Sequence, residues 1–420
     1  MKILFVTNEI PFPPDSGIRI PSYHAMRLMH EAGHELALAT LTSENEEIDK
    51  RFRVVSNLCV KNMAFKELLP DRHPINIHIT AGIKNRLSFV ERYDSPEFRN
   101  KLAGIIDKFS PNVIHFDLIP MVQYCDLTPS GVGAVASIND SYSLGLKNML
   151  GAMDRCTFNY AHKTWQFFKV RSYEKFMYTK FHQVHVMSEI DKGYLQDLNP
   201  RLKVSVISNG VEPSLFDVAD DTRSMTDVIF VATLEGDNLL YLQRFLKHSW
   251  PMVSKRYPNV TLNIFGKIGQ PARNLIEQYG SQDGVRFHGY IENLCDAYRM
   301  CGIAVAPINK NCGIVNKAIE AMAAGLVVVG FQKTFSGIPQ AKSGVHYVEA
   351  RDYESMGQAI LTLLGNKVYC DELKVGGHKF AQEYYSWSDR KDLYCQMYER
   401  AEEDAKTRSV PRSKQQGLGH

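Results

Sequence analysis

Nowhere in the 420 residues is there an apolar run approaching the ~20 residues that a membrane-spanning helix needs. That removes a helical membrane span from consideration. An excess of charge of either sign is missing too. Lys and Arg number 49 against 46 Asp and Glu, a net charge of +3, too little to argue for a nucleic-acid partner. The eight cysteines (Cys59, Cys125, Cys156, Cys295, Cys301, Cys312, Cys370 and Cys395) form no CxxC pair and no zinc-module spacing with histidine. Thiols scattered in this way through a long chain are expected to be reduced, as in a cytoplasmic protein. No repeat and no low-complexity segment interrupts the sequence. The start, MKILFVTNEIPFPP, has too short an apolar stretch for a signal peptide, and residues 2–7 are expected to form the first strand instead.

What is present is an ordinary globular composition, 44% hydrophobic and 23% charged. Strand-like and helix-like segments alternate. Apolar runs at 3–6, 34–42, 112–115, 134–137, 183–187 and 204–207 read as strands. Residues 18–31 read as an amphipathic helix closed by Gly33, and Ser188 as the cap of another. Residues 212–226 (EPSLFDVADDTRSMT) are polar and aperiodic and read as a linker. The pattern then restarts, with strands at 228–232, 261–265 and 285–287 and a helix over 240–256. The predicted fold class is α/β, with two Rossmann-like doubly wound domains facing a cleft. The expected boundaries are 1–211, a linker 212–226, 227–385, a helix 386–406 and a tail 407–420 with the composition of disorder.

Residues 302–330 (GIAVAPINKNCGIVNKAIEAMAAGLVVVG) carry the most information. The pattern predicts a buried strand at 302–308, a loop at 309–313, a helix over 314–324 ended by a left-handed Gly325, and a second strand at 326–329. A polar, Gly-containing loop at a helix start is a natural anion site, because free N–H groups and the helix dipole converge there. Lys317, one turn in, adds positive charge. The segment alone reads equally well as a phosphate-ligand site or as a plain crossover with a solvated lysine.

An ordered set of motifs extends this reading. In the first half these are the strand and Gly loop of 2–17, PNVIHFD (111–117), QVHVMSEID (183–191) and VSVISNGVEPSLF (204–216). NVTLNIFGKIG (259–269), VRFHGYIENLCDAYRMCGIAVAP (285–307) and KAIEAMAAGLVVVG (317–330) follow. Together they resemble the GT-B fold glycosyltransferases of family 4, bacterial group 1 sugar transferases, over about residues 1–400. The resemblance implies a nucleotide-sugar donor held mainly by the C-terminal domain and an acceptor held mainly by the N-terminal one. It also implies retention at the anomeric carbon and a C-terminal helix crossing back to the first domain.

Residue by residue, Glu320 matches the second glutamate of the family's paired-glutamate motif, the one that bonds the nucleotide ribose. The first glutamate is replaced by Cys312, a departure that bears on the donor sugar. Main-chain groups at Gly313, Ile314 and Val315, with Asn316 and Lys317, would then hold the diphosphate, and Lys317 would stabilise the departing nucleotide. The Arg and Lys that the family carries after the first C-terminal strand are replaced by the acidic stretch ATLEGDNLL (232–240). Lys267 is a candidate substitute. Tyr290 would lie near the base. Gly17 matches the glycine that approaches the donor phosphate or the acceptor, with Arg19 beside it. His115 or Asp117 would take the place of the family's histidine against the reacting sugar, and Asp140 is a further acid on the acceptor side.

No Asp-x-Asp occurs in the sequence, which argues against a metal-held diphosphate. The expected course is metal-independent transfer without a cofactor beyond a UDP- or GDP-sugar co-substrate. The leaving phosphate would take the acceptor's proton. The acceptor is expected to be a glycan, a lipid-linked glycan or a small metabolite, and the protein a cytoplasmic monomer or homodimer. The competing readings are a non-catalytic homologue acting as a binding partner and a nucleotide-sugar epimerase. Residues 162–180 mix Lys, Arg, Trp and Phe at helical spacing. They read either as a packed helix with a snorkelling basic face or as a peripheral contact for a membrane or an acidic partner.

Overall fold

The computed structural model of the chain describes every residue except 43–47, 152, 220–226, 281, 283, 310–313 and 410–420. The chain divides into two units. One comprises Met1–Ser208 together with Arg390–His420, the other Asn209–Asp389.

The first unit is built on seven parallel strands: β1 (Lys2–Thr7), β2 (Glu35–Thr42), β3 (Ala64–Leu68), β4 (Val113–Asp117), β5 (Gly133–Asn139), β6 (Gln183–Val186) and β7 (Val204–Val206). Their order across the sheet is β3-β2-β1-β4-β5-β6-β7. β4 and β5 are buried at every position, as strands covered by helices on both faces must be, hence their near-continuous apolar runs. The last helix, Arg390–Ser409, belongs to this unit. Its backbone lies so close to the start of β5 that a Cβ on Gly133 would stand 2.9 Å from the Ala401 carbonyl carbon. Tyr394, Tyr398 and Ala401 are buried along its inner face.

The second unit has six parallel strands: β8 (Val228–Val231), β9 (Leu262–Phe265), β10 (Val285–Gly289), β11 (Ile303–Ala306), β12 (Val327–Phe331) and β13 (Val348–Ala350), in the order β10-β9-β8-β11-β12-β13. The predicted strand–helix–strand segment is β11, the helix Asn316–Ala323 and β12, with Gly325 at φ +74° between them. Both sheets are thus doubly wound α/β sheets. In each the strand order reverses between two neighbours, β1/β4 in the first and β8/β11 in the second, and ligands of such sheets bind at the carboxyl ends beside that reversal.

Three local expectations change. The helix expected over 240–256 is two, Gly236–His248 and Trp250–Arg256. Pro251 has no N–H to continue a helix and sits instead in the first turn of a new one. The segment expected as a linker forms the turn Pro213–Phe216, with Leu215 and Val218 buried in the second unit's core; residues 220–226 lie outside the described residues. Residues 407–409, assigned by composition to the tail, are helical. The first unit also contains the helices Pro74–Ile83 and Tyr142–Gly151.

Candidate active site

In the first unit the reversal point brings the loop 8–18 after β1 next to Asp117 at the end of β4. Asp117 is 2% exposed. One carboxylate oxygen, Oδ2, accepts the Ser22 hydroxyl at 2.7 Å, and the other has no hydrogen-bond partner among the described residues. Burial raises its pKa to about 7 against the lowering effect of Ser22, and the Glu9 carboxylate pushes the same way as burial. The residue that follows, Leu118, is left-handed at φ +62°, as is Asn139 at the end of β5, where the pairing with β6 slips register. Such a backbone costs a non-glycine residue about 1–3 kcal/mol and is typical of positions that aim functional groups. Asp140, exposed, follows Asn139 directly.

His115 is placed differently. It is 1% exposed, with its ring centroid 4.8 Å from that of Phe5 and its Nδ1 2.8 Å from the Tyr398 hydroxyl on the last helix. Burial, helped by His185, lowers its pKa to about 3, so it is neutral at physiological pH. It ties the final helix to the sheet, and Asp117 is the one of the pair that stands at the strand end. Gly17 lies on the open side: a Cβ there would touch no protein atom. Arg19 is engaged with its own loop, 2.9 Å from Asp15 and 3.7 Å from Glu9, with Nε donating to Ser16 at 3.2 Å. It braces the loop that presents Gly17.

Two further acids, neither assigned to the site from the sequence, lie beside Asp140's strand end. Glu174, in the helix Phe158–Met177, is fully buried and accepts the backbone N–H of Tyr142 at 2.8 Å and the hydroxyls of Ser141 and Ser143. Burial raises its pKa to about 7 against these hydrogen bonds. Asp191 accepts the N–H of Ser141 at 2.9 Å. Between them they anchor the helix start that follows Asp140. A carboxylate capping a helix 32 residues earlier in the chain leaves no local signal; the only hint was SYS at 141–143, a cluster of donors.

In the second unit Lys317 and Glu320 share one face of the first turn of Asn316–Ala323. Lys317 Nζ is 3.0 Å from Glu320 Oε2, which the Tyr298 hydroxyl also approaches at 3.4 Å. Val315 is the N-cap and is 8% exposed, and its carbonyl accepts the Ala318 N–H at 3.0 Å to close the first turn. Ile314 packs against that core. The Asn316 side-chain oxygen accepts from Asn209 at 3.2 Å, so the NG turn after β7 braces this helix start. Gly313 and Cys312 lie outside the described residues.

Lys267 follows β9 and holds its ammonium 5.3 Å from the centre of the half-exposed Tyr290 ring, which brings these two expected donor residues together. Gly266 before it has φ +142°, and a Cβ there would fall 1.7 Å from the Ala232 carbonyl. Only glycine lets the ends of β8 and β9 approach so closely. Within the acidic stretch, Glu235 folds over Gly269, where an added Cβ would meet its side chain at 2.4 Å.

Known proteins share this architecture. The chain superimposes on sucrose-phosphate synthase from Thermosynechococcus elongatus with a TM-score of 0.67 at 16% identity, covering 95% of this chain and 99% of that one. It matches the Anabaena protein HepE, solved with UDP and glucose, with a TM-score of 0.57 at 12% identity over 94% and 98% of the two chains. For the pneumococcal O-GlcNAc transferase GtfA, solved with UDP and GlcNAc, the TM-score is 0.65 at 10% identity over 96% and 99%. At these identities the likeness concerns the fold. No curated protein sequence matches. The model of Glycosyltransferase Family 4 matches residues 22–215, and that of Glycosyl transferases group 1 matches residues 226–366. With both halves matched in order on a GT-B architecture, the chain belongs to the group 1 glycosyltransferases and is a glycosyl-transferring enzyme.

Proposed function

We propose that this enzyme moves a sugar, with retention and without a metal ion, from a UDP- or GDP-sugar to a hydroxyl of a glycan, a lipid-linked glycan or a small metabolite. The observation that carries the reading is the Lys317–Glu320 face at the helix start after β11, beside the reversal point of the second sheet. Two of the solved structures that share the fold contain UDP, which favours that nucleotide.

On this reading Glu320 exchanges its bond with Lys317 for the ribose hydroxyls. Lys317 turns to the diphosphate, where the N–H groups of the helix start add partial positive charge. As the glycosidic bond to the phosphate breaks, negative charge grows on the leaving oxygen, and a fixed ammonium there stabilises the transition state more than the ground state. The acceptor hydroxyl attacks the same sugar face, and the leaving phosphate takes its proton. Asp117 accepts a hydrogen bond from a sugar hydroxyl on its unpartnered oxygen, which holds the reacting group in register. The enzyme works in the cytoplasm, at or near the inner face of the membrane.

Thermal stabilisation by UDP-, GDP-, dTDP- and ADP-sugars in the presence of EDTA tests this. Binding of ligand at ~100 times its Kd stabilises by about 2.7 kcal/mol, so one nucleotude class should raise Tm by several degrees. A chain stabilised by none of the four, or only after divalent metal is restored, would falsify the metal-free donor site.

A further inference from the structure

The first unit holds a groove that the chemistry above does not use. Its inner chamber, about 1230 Å³, is bordered by the helices Pro74–Ile83, Tyr142–Gly151 and Phe158–Met177. Phe89 and Tyr142 stack there at 5.6 Å and 8°, and Leu146 and Val170 extend the apolar wall. Tyr142 is two residues past Asp140, so this end of the groove adjoins the acceptor-side strand end. A second chamber of about 600 Å³ shares Trp165 and Lys169 with the first and continues along Phe168 and Phe176.

The outer rim is unusual for a surface in water. Trp165, Phe168 and Phe176 are 57%, 59% and 65% exposed. On the helix Pro74–Ile83 it is Pro74, Ile77 and His78 that line the groove, while Ile75, Ile79 and Ile83, 61%, 56% and 81% exposed, lie outside its lining. Exposed apolar patches of this kind mark contact surfaces. They are interleaved with cations. The helix Phe158–Met177 carries Lys163, Lys169, Arg171 and Lys175 against one acid, the buried Glu174. Lys169 holds its ammonium 4.7 Å from the centre of the Trp165 ring. Of the groove's cations, Arg72 and Arg86 are bonded to Glu91, while Arg92, Lys163 and Lys169 line the inner chamber together with the acids Glu67, Asp71 and Glu97, of which Glu67 is paired with Lys101; Lys163 and Lys169 stand on the same helix as Trp165. A free phosphate would not need the apolar walls, a plain hydrocarbon would not need the lysines, and an acidic protein surface would not fill an apolar hollow.

We propose that this groove binds a lipid-linked acceptor, its apolar chain along Trp165, Phe168 and Phe176 and its phosphate at Lys163 and Lys169, with the acceptor end at Tyr142. The inference rests on the transferase reading and names its acceptor class.

Trp165 reports on it directly, because the other two tryptophans, Trp250 and Trp387, are buried in the second unit. The full chain is titrated with farnesyl phosphate, farnesol and inorganic phosphate in separate arms while the emission wavelength is followed. The expected result is a saturable blue shift with farnesyl phosphate, at a concentration at least tenfold below that for farnesol, and none with inorganic phosphate. Lys163→Glu with Lys169→Glu should weaken it at least tenfold, and Phe168→Asp, which puts a carboxylate on the exposed wall that the chain follows, should abolish the Trp165 shift. Both variants should keep the melting temperature and the stabilisation by nucleotide sugar. Equal response to farnesol, response to inorganic phosphate alone, or a charge-reversed variant that titrates like the parent overturns the proposal. No lipid response in the parent chain, with its nucleotide stabilisation intact, sinks the groove and spares the donor site. A lipid response in a chain that no nucleotide sugar stabilises sinks the donor reading.

Discussion

The two sheets share a topology and differ in what stands at the reversal point. In the first unit the group is a nearly inaccessible carboxyl, Asp117, with one oxygen unpartnered and left-handed residues at the ends of β4 and β5. In the second it is an open lysine and a partly covered glutamate, 40% and 12% exposed, bonded to each other on a relaxed helix turn. All five left-handed non-glycine residues among the described ones fall in the first unit. A buried, strained acceptor suits a neutral hydroxyl, which must be found by direction. Charges on a helix start suit a diphosphate, which attracts them from any direction and needs little preorganised strain.

The sharpest way to break this contrast is Asp117→Asn. Transfer should fall by ~10²-fold, the scale of losing one polar contact to a reacting centre, while stabilisation by nucleotide sugar stays as in the parent. A parallel loss of nucleotide binding would show that the two edges are not specialised. Glu320→Ala should do the reverse, weakening nucleotide binding about tenfold or more, the value of a hydrogen bond to a charged group. Its own pairing with Lys317 is a partly exposed contact worth little to stability, so Tm without ligand should hardly move. Gly17→Ala should leave Tm unchanged, since a Cβ there meets no protein atom, and should reduce turnover; undiminished turnover would remove Gly17 from the site. Tyr398→Phe deletes the hydroxyl on His115 and should cost ~1 kcal/mol in denaturant unfolding.

Proton linkage gives a further separation. The folded-state pKa of Asp117 is raised from 3.8 to about 7. The folded protein therefore holds a proton that the unfolded chain releases between those values, and stability falls as pH rises through that window. Glu174 acts in the same direction between 4.5 and about 7. Asp117→Asn should flatten its share of this slope, so that variant and parent diverge in Tm toward pH 7 in favour of the variant. Parallel Tm profiles from pH 4 to 8 would mean that Asp117 is ionised in the folded protein.

Much of the second unit could be read from the sequence because its signals are local. The valine run of β12, Gly325 and the Lys317–Glu320 spacing lie within one crossover, and the structure keeps them together. The first unit was harder. Helix Pro74–Ile83 puts isoleucines toward solvent, so its period does not mark a core, and the anchoring of Ser141 by Glu174 and Asp191 joins residues from three separate segments. The break at Pro251 was readable in principle; the apolar period across it outweighed the missing N–H.

The sequence by itself determined the doubly wound α/β class, the order of the two halves and the placing of Glu320 and Lys317 on one helix face, because strand burial and helical period are written in neighbouring residues. Only the tertiary structure decided that His115 is locked under Tyr398 while Asp117 holds the strand end. Strand alternation puts both on the same side of β4, and which of them is covered depends on a helix that returns to that sheet 283 positions later.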